Sequence, residues 1–322
     1  MARPTLLYGT SSFGMDMTDF QSCEHVKEVL QTLKKTGITH LDTAARYPPL
    51  NPGRAEQLLG EATELTNTFA VDTKIATGTG DCSGSLSKEA IEKSVQASFE
   101  RLKLQKVRIL YAHSPDPTTP LLETATAFDA QLRAGHCDAL GLSNYPPPLL
   151  RSYLSLCETH NLHKPTYYQG AYNILTRGME TELLPLLREH GMGFVAFWVV
   201  GSGFLTGKLI EGKAEGTRLA SDNPVGAKLA EGVYGSASLR GSTGRFIERV
   251  RGMGMSPVDV ALRWVYWHSA LGEGDGIILG ASKVRQIVEN VASLEMGPLG
   301  SEVLEAVEEL WQELKEERGD IL

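Results

Sequence analysis

Short runs of β-branched and aromatic residues alternate along this chain with longer stretches whose apolar positions recur three and four residues apart, the pattern of βα units feeding a parallel sheet. Candidate strands are residues 5–9, 38–42, 69–75, 107–112, 138–142, 165–169, 193–198 and 275–279. Between them run amphipathic stretches such as SKEAIEKSVQASFERL. A repeat number approaching eight predicts an α/β fold of the closed (β/α)8 TIM-barrel type. Helix-start signals agree with the register. Ser87, three residues before Ala90, predicts an N-cap, and Ser256-Pro257 opens SPVDVALRWVYWHSA with proline in the first turn.

One stretch breaks the rhythm. Residues 209–242 are rich in Gly, Ala and Ser without a sustained period, which predicts a long mobile loop over the site. At the far end, residues 301–317 predict an additional amphipathic helix capping the barrel. No composition shift marks a linker, so the whole span 1–322 reads as one domain. The formal net charge of −8 opposes bulk attraction to nucleic acid. No apolar run reaches the length of a membrane span, and the start of the chain lacks the layout of a signal peptide, so a cytoplasmic protein is expected. Cys23, Cys82, Cys137 and Cys157 show no metal-ligand spacing and read as reduced structural thiols. No metal is expected, and the assembly is expected to be a monomer or homodimer.

The candidate chemistry lies at the strand ends. Asp42, Tyr47, Lys74 and His113 fall on or just past the C-terminal ends of three successive strands, where a parallel α/β barrel carries its catalytic side chains. Singly each has an ordinary reading: a helix cap or ion-pair partner, a turn aromatic beside Pro48-Pro49, a paired lysine, a loop histidine. Together they suit carbonyl reduction, because an alkoxide formed by hydride transfer needs an acid, and an ammonium beside a phenol lowers a pKa that is otherwise about 10. Two glycine-rich runs fail as nucleotide motifs. After Gly78-x-Gly80 the third glycine of a dinucleotide fingerprint is missing or late, and GSGFLTGK has Ser202 and Leu209 where a P-loop needs glycine and a hydroxyl residue. A looser cradle of backbone N–H groups around a pyrophosphate survives. In IILGASKVRQIVEN, Ser282 with Lys283 and Arg285 fits a phosphate monoester and equally an ordinary capped βα turn.

From GTSSFG to IVENVAS, the order and spacing of DTAARY, the DTK strand, the YAH strand, GLSNY, YYQGAYN, LTGK and ILGAS resemble the aldo-keto reductase family. Within it the chain looks most similar to the aflatoxin-aldehyde reductase branch and its fungal relatives, through PTYYQGAYN, ETELLPLLREHG and ALRWVYWHS. The resemblance implies a barrel that binds NADPH without a Rossmann fold and reversibly reduces small aldehydes or ketones. Tyr47 is then the proton donor, Lys74 and Asp42 the pair that tunes it, and His113 the residue that orients the carbonyl. It places Ser143, Asn144 and Gln169 on the nicotinamide carboxamide and Phe197 against the ring. Trp198, Val200, Gly201, Gly203 and Lys208 follow the pyrophosphate, and Arg218 and Ser282 the adenosine phosphate. Gln286, Glu289 and Asn290 take the adenine end, with Thr10 and Gly280 completing the cofactor set. Phe13, Tyr145 and Tyr234, with His113, are the implied substrate walls. Three departures stand out, the first being Tyr47-Pro48 where the family usually has Tyr-Gly, so that Pro48 and Pro49 stiffen the loop beside the phenol. Phe197-Trp198-Val199-Val200 replaces the family's usual Tyr-Ser/Asn-Pro-Leu type sequence, and EGVYGSASLRG lacks the arginine that relatives place after the tyrosine. A fainter similarity to potassium-channel β subunits implies an alternative, an NADP-binding redox-sensing regulatory subunit.

Overall fold

Every predicted run forms a strand, and the eight pair in parallel into a closed barrel, β1 hydrogen-bonding to both β2 and β8. The computed structural model describes residues 3–77 and 81–319. Gly78 and Gly80 of the rejected dinucleotide motif lie outside them. The strands are β1 (Thr5–Gly9), β2 (His40–Asp42), β3 (Ala70–Lys74), β4 (Val107–Ala112), β5 (Cys137–Ser143), β6 (Tyr167–Ala171), β7 (Gly193–Phe197) and β8 (Gly276–Leu279). Around them lie helices α1 (Cys23–Lys35), α2 (Arg54–Glu61), α3 (Thr63–Thr66), α4 (Lys88–Leu102), α5 (Leu121–Arg133) and α6 (Pro147–Thr159). The remainder are α7 (Leu183–Glu189), α8 (Pro224–Gly232), α9 (Ala237–Gly252), α10 (Pro257–Trp267), α11 (Val284–Glu295) and α12 (Ser301–Arg318).

Local chemistry explains the helices. Ser22 caps α1 by accepting from the His25 N–H, Val26, Val29, Leu30 and Leu33 are buried along one face, and Lys34 and Lys35 sit at the negative end of the helix dipole. Ser87 caps α4 as predicted, accepting from Ala90. Ser256 precedes α10, but its hydroxyl makes no cap hydrogen bond; Pro257 at the first turn carries the start alone.

Inside the barrel, alternation splits the lining in two. On the β7–β8–β1 side, Leu7, Val195 and Ile278 pack with Tyr167 and Phe197. The β2–β4 side carries polar and ionisable groups instead: Asp42, Asp72, Lys74 and Tyr111, all buried. Gly141 on β5 makes room for this side, since a Cβ there would fall 2.3 Å from the Tyr111 ring.

The stretch 209–242 departs from the irregular loop expected of it: it contains α8 and the opening of α9. Asn223 accepts hydrogen bonds from Val225 and Gly226 at the head of α8, with Pro224 at the first turn, and Ser236 caps α9 through Leu239. Both are strong start signals that hydrophobic periodicity alone passes over. Helix α12 packs alongside α9, and Arg318 at its end donates to the Leu175 and Val233 carbonyls and the Thr176 hydroxyl.

Candidate active site

Asp42 ends β2, Lys74 ends β3, His113 follows β4, and Tyr47 sits in the turn after β2, so all four converge on the C-terminal mouth of the barrel. Both Asp42 and Lys74 are buried. The Lys74 ammonium donates to Asp42 Oδ1 at 2.6 Å, Asp42 Oδ2 at 2.7 Å and the Thr43 carbonyl at 2.8 Å, which commits all three of its hydrogens. Nζ lies 5.0 Å from the centroid of the Tyr47 ring, and that ring meets His113 edge-on with centroids 5.7 Å apart. The Tyr47–Pro48 peptide bond is cis.

Electrostatics assign a protonation state to each group. Burial opposes the charge on Lys74, but Asp42 and then Tyr47 outweigh it and hold the ammonium above its ordinary value. The expected lowering of the Tyr47 phenol is reversed, because burial pushes it up more strongly than Lys74 pulls it down. Tyr47 is therefore a neutral phenol at physiological pH. His113 is pushed down to about 3 by burial, then by the positive charges of Lys74 and Arg46, so its imidazole is neutral as well.

A stability prediction follows from His113. The unfolded chain binds a proton near pH 6.5 that the folded chain refuses until about 3. Its contribution is complete above about pH 6.5 and is lost as pH falls towards the folded value. His113→Gln is expected to lose less unfolding free energy than the parent between neutral and acidic pH, read from urea titrations; parallel pH profiles would contradict the assignment.

The neighbouring loops are fastened through Asp116, three residues past His113. It accepts from the Gly84 and Leu86 N–H groups after β3 and from Thr118 and Thr119 after β4. Burial works against that carboxylate, but these hydrogen bonds together hold it well below the usual carboxylate range. Asn144, at φ 62°, donates to the His113 carbonyl at 2.9 Å and to Ser143 Oγ at 3.1 Å. Gln169 turns its amide to Asp42 Oδ1 at 2.8 Å, joining the Asp42–Lys74 pair.

After β7 the backbone turns left-handed at Trp198 (φ 57°), Gly201 (60°), Ser202 (54°) and Gly203 (95°). Such a conformation is strained for an indole-bearing residue. The Trp198 carbonyl is pinned by Asn173 Nδ2 at 2.9 Å and the Gly201 N–H at 2.7 Å, and the indole stands edge-on to Phe197, centroids 5.4 Å apart. Val200 is half-buried and Lys208 exposed. Arg218 reaches Ser11 Oγ at 3.4 Å and faces Tyr47 and Tyr234 electrostatically. Ser282 adjoins the same loop after β1, its carbonyl accepting from the Asp19 N–H.

The phosphate site expected around Ser282 is closed by the protein's own side chain: Gln286 Oε1 accepts from Ser282 N, Ser282 Oγ and Lys283 N. Asn290 folds back to the Gly280 carbonyl, and Glu289 and Arg285 are exposed. Thr10 hydrogen-bonds to the Asp42 carbonyl through both its backbone N–H and its hydroxyl.

The expected substrate walls are core residues here. Phe13 packs between Tyr8 and Phe20, Tyr145 on Tyr153, and Tyr234 face to face with Phe204 at 4.3 Å, all at most 1% exposed. Aromatics of this size contribute most when fully enclosed, and the core takes them. Sequence reasoning missed Asp72, Arg108, Tyr111, Arg46 and Asp116. The inward-facing pair Asp72 and Lys74 was readable from the two-residue period of the strand.

His113 Nδ1, Ser202 Oγ and Arg218 Nε are among the buried side-chain atoms of the described residues that have no hydrogen-bond partner. Unpaired buried polar atoms are costly unless a ligand meets them. The unpartnered Ser202 hydroxyl and Arg218 guanidinium nitrogen fit a phosphate-bearing cofactor.

The aldo/keto reductase family model matches residues 5–312, nearly the full chain. The chain belongs to the aldo/keto reductase family. Oxidoreductase sirO of Leptosphaeria maculans is 33% identical over 322 residues, covering 98% of this chain and 95% of that protein. Human aflatoxin B1 aldehyde reductase member 2 is 33% identical over 328 residues, covering 96% and 87%. A putative voltage-gated potassium channel subunit beta of Schizosaccharomyces pombe is 32% identical over 298 residues, covering 89% and 84%. As an aldo/keto reductase, this protein is an oxidoreductase acting on small aldehydes or ketones with a nicotinamide cofactor. No helix among the described residues is long and apolar enough to cross a membrane.

Proposed function

We propose that this protein is an NADPH-dependent carbonyl reductase in which Tyr47 delivers the proton and His113 holds the carbonyl. The observation that carries the reading is a neutral, half-buried phenol set beside an ammonium that is itself locked on Asp42. When bound, the cofactor supplies the hydride. The remaining work falls to side chains of the chain.

A carbonyl oxygen that gains negative charge needs a donor within hydrogen-bond reach. Tyr47 carries a proton across the physiological range and can release it, because Lys74 stabilises the phenolate left behind. His113, neutral, can donate a hydrogen bond to the same oxygen without adding a charge. Asp42 and Thr43 fix the ammonium, and Gln169 fixes Asp42. Phe197 would face the nicotinamide, with Ser143, Asn144 and Gln169 at its carboxamide. Trp198, Val200, Gly201, Gly203 and Lys208 would hold the pyrophosphate, and Arg218 and Ser282 the adenosine phosphate once Gln286 swings off Ser282; Gln286, Glu289 and Asn290 would take the adenine end, with Thr10 and Gly280 completing the cofactor set. Arg218 and Lys283, the cations assigned with Ser282 to the additional adenosine phosphate, favour NADPH over NADH.

The test is consumption of NADPH with a panel of aldehydes, ketones and quinones, followed by loss of the reduced nicotinamide absorbance. Multiple turnovers with at least one carbonyl, and weaker use of NADH, are expected. Tight NADPH binding with no more than a single turnover on the whole panel would favour a cofactor-sensing role, the reading suggested by the potassium-channel relative.

A further inference from the structure

Two residues before Lys74 on β3, on the same inward face, lies a second carboxylate. Asp72 is completely buried and stands directly across from Asp42 in the β2–β3 register. Neighbouring strands are only about 4.8 Å apart, so two carboxylates placed this way repel. Lys74 cannot serve both, since its hydrogens are committed to Asp42 and Thr43. Arg108 on β4 resolves the conflict: Nε donates to Asp72 Oδ1 at 2.8 Å and Nη2 to Oδ2, a two-pronged pair. The guanidinium is held in turn over the Tyr167 ring, 5.5 Å from its centroid. Arg108, Asp72, Lys74 and Asp42 thus form a ladder of alternating charge that ends beneath Tyr47.

The ladder is an expensive way to fill a barrel. Well-packed apolar side chains are often as stabilising as a buried ion pair, or more so, and the β7–β8–β1 side of this same barrel is built that way. A charged pair one layer below a reactive phenol therefore points to electrostatic work at the site.

We propose that the Asp72–Arg108 pair is a positioning element for the reaction, keeping Lys74 charged and locked on Asp42 and offsetting part of its positive potential at Tyr47. The inference rests on Tyr47 being the proton donor. The phenol then stays protonated until the carbonyl takes its proton. The groups facing Asp72 are Arg108 and Tyr111 from β4, Asp42 from β2 and Lys74 from β3, with His40 and Tyr167 facing Arg108. Burial pushes the Asp72 carboxyl up to about 7 against the pull of Arg108. Asp72 also adds to the charges that hold Lys74 above its ordinary value. At alkaline pH, where a phenol ionises, Asp72 is a carboxylate and its charge is fully felt.

Asp72→Asn keeps the side-chain shape and leaves the Arg108 charge uncompensated beneath Lys74. The Tyr47 phenol is expected to ionise about one pH unit lower. The shift is read in the cofactor-free protein by NMR of ring-labelled tyrosine, with Tyr47→Phe identifying the signal. The alkaline limb of kcat/KM for carbonyl reduction should move down by the same amount, with the cofactor Kd unchanged. Asp72→Asn/Arg108→Gln strands no charge and carries the test if the single variant does not fold; its shift should have the same sign and a smaller size, because Asp72 shares the inward face of β3 with Lys74 and acts on it directly, whereas Arg108 lies on β4 and binds Asp72. Superimposable Tyr47 titrations in parent and double variant would overturn the proposal. If the Tyr47 titration shifts as expected but no carbonyl is turned over by the parent, the proton-donor reading fails while the electrostatic coupling stands.

Discussion

Tyr47→Phe is expected to lower turnover by about 10²–10⁴-fold, the span usually lost with a general acid, while NADPH affinity and folding stay as they are. The substitution removes one oxygen and little else. The ring can keep its edge-on contact with His113 and its place 5.0 Å from the Lys74 ammonium. Lys74 is not left unsatisfied, because its three hydrogens already go to Asp42 and Thr43. Cofactor binding should be untouched, since Tyr47 is not among the proposed cofactor contacts, which lie at or after the ends of β1, β5, β6, β7 and β8. Fluorescence titration with NADPH and steady-state kinetics on the best carbonyl separate the two properties. A variant that turns over within about tenfold of the parent would remove Tyr47 from the role of a general acid.

Lys74→Met should destabilise the fold by about 3–5 kcal/mol, the usual cost of stripping one partner from a buried ion pair, and should abolish turnover. Asp42 would be left in the barrel with only the Gln169 amide on its carboxylate, and the Thr43 carbonyl would lose its donor. Asp42→Asn/Lys74→Met removes the stranded charge and should recover part of the stability but none of the activity. Urea unfolding of the three proteins gives the comparison. Equal stability of the single and double variants would show that the pair is not coupled as its geometry implies. Because Lys74 is held above its ordinary value of about 10.4, its contribution is complete at neutral pH and fades only as pH rises through that higher folded value.

Some of this protein is legible along the chain because the physics is local. Strand and helix periods are set by backbone geometry, so all eight strands could be read in place, the edges shifting by a residue or two where pairing ends. Strand ends mark the reactive face of a barrel, which is why Asp42, Lys74 and His113 could be grouped before any contact was known. Other features need neighbours from distant segments. Helix α8 was hidden because its start depends on the cap chemistry of Asn223-Pro224 rather than on an apolar stripe. Phe13, Tyr145 and Tyr234 are aromatic in sequence whether they line a pocket or fill a core, and only packing assigns them to the core.

By itself, then, the sequence determined the barrel, the strand ends and the four residues gathered there, since each follows from residue type at a fixed period. The tertiary structure alone decided the state of those four. Whether the Tyr47 phenol lies above or below its ordinary value depends on burial weighed against Lys74, a balance set by distances across the barrel. The charge ladder beneath it likewise exists only because Asp72 and Arg108, thirty-six residues apart in the chain, are brought together when the strands pair.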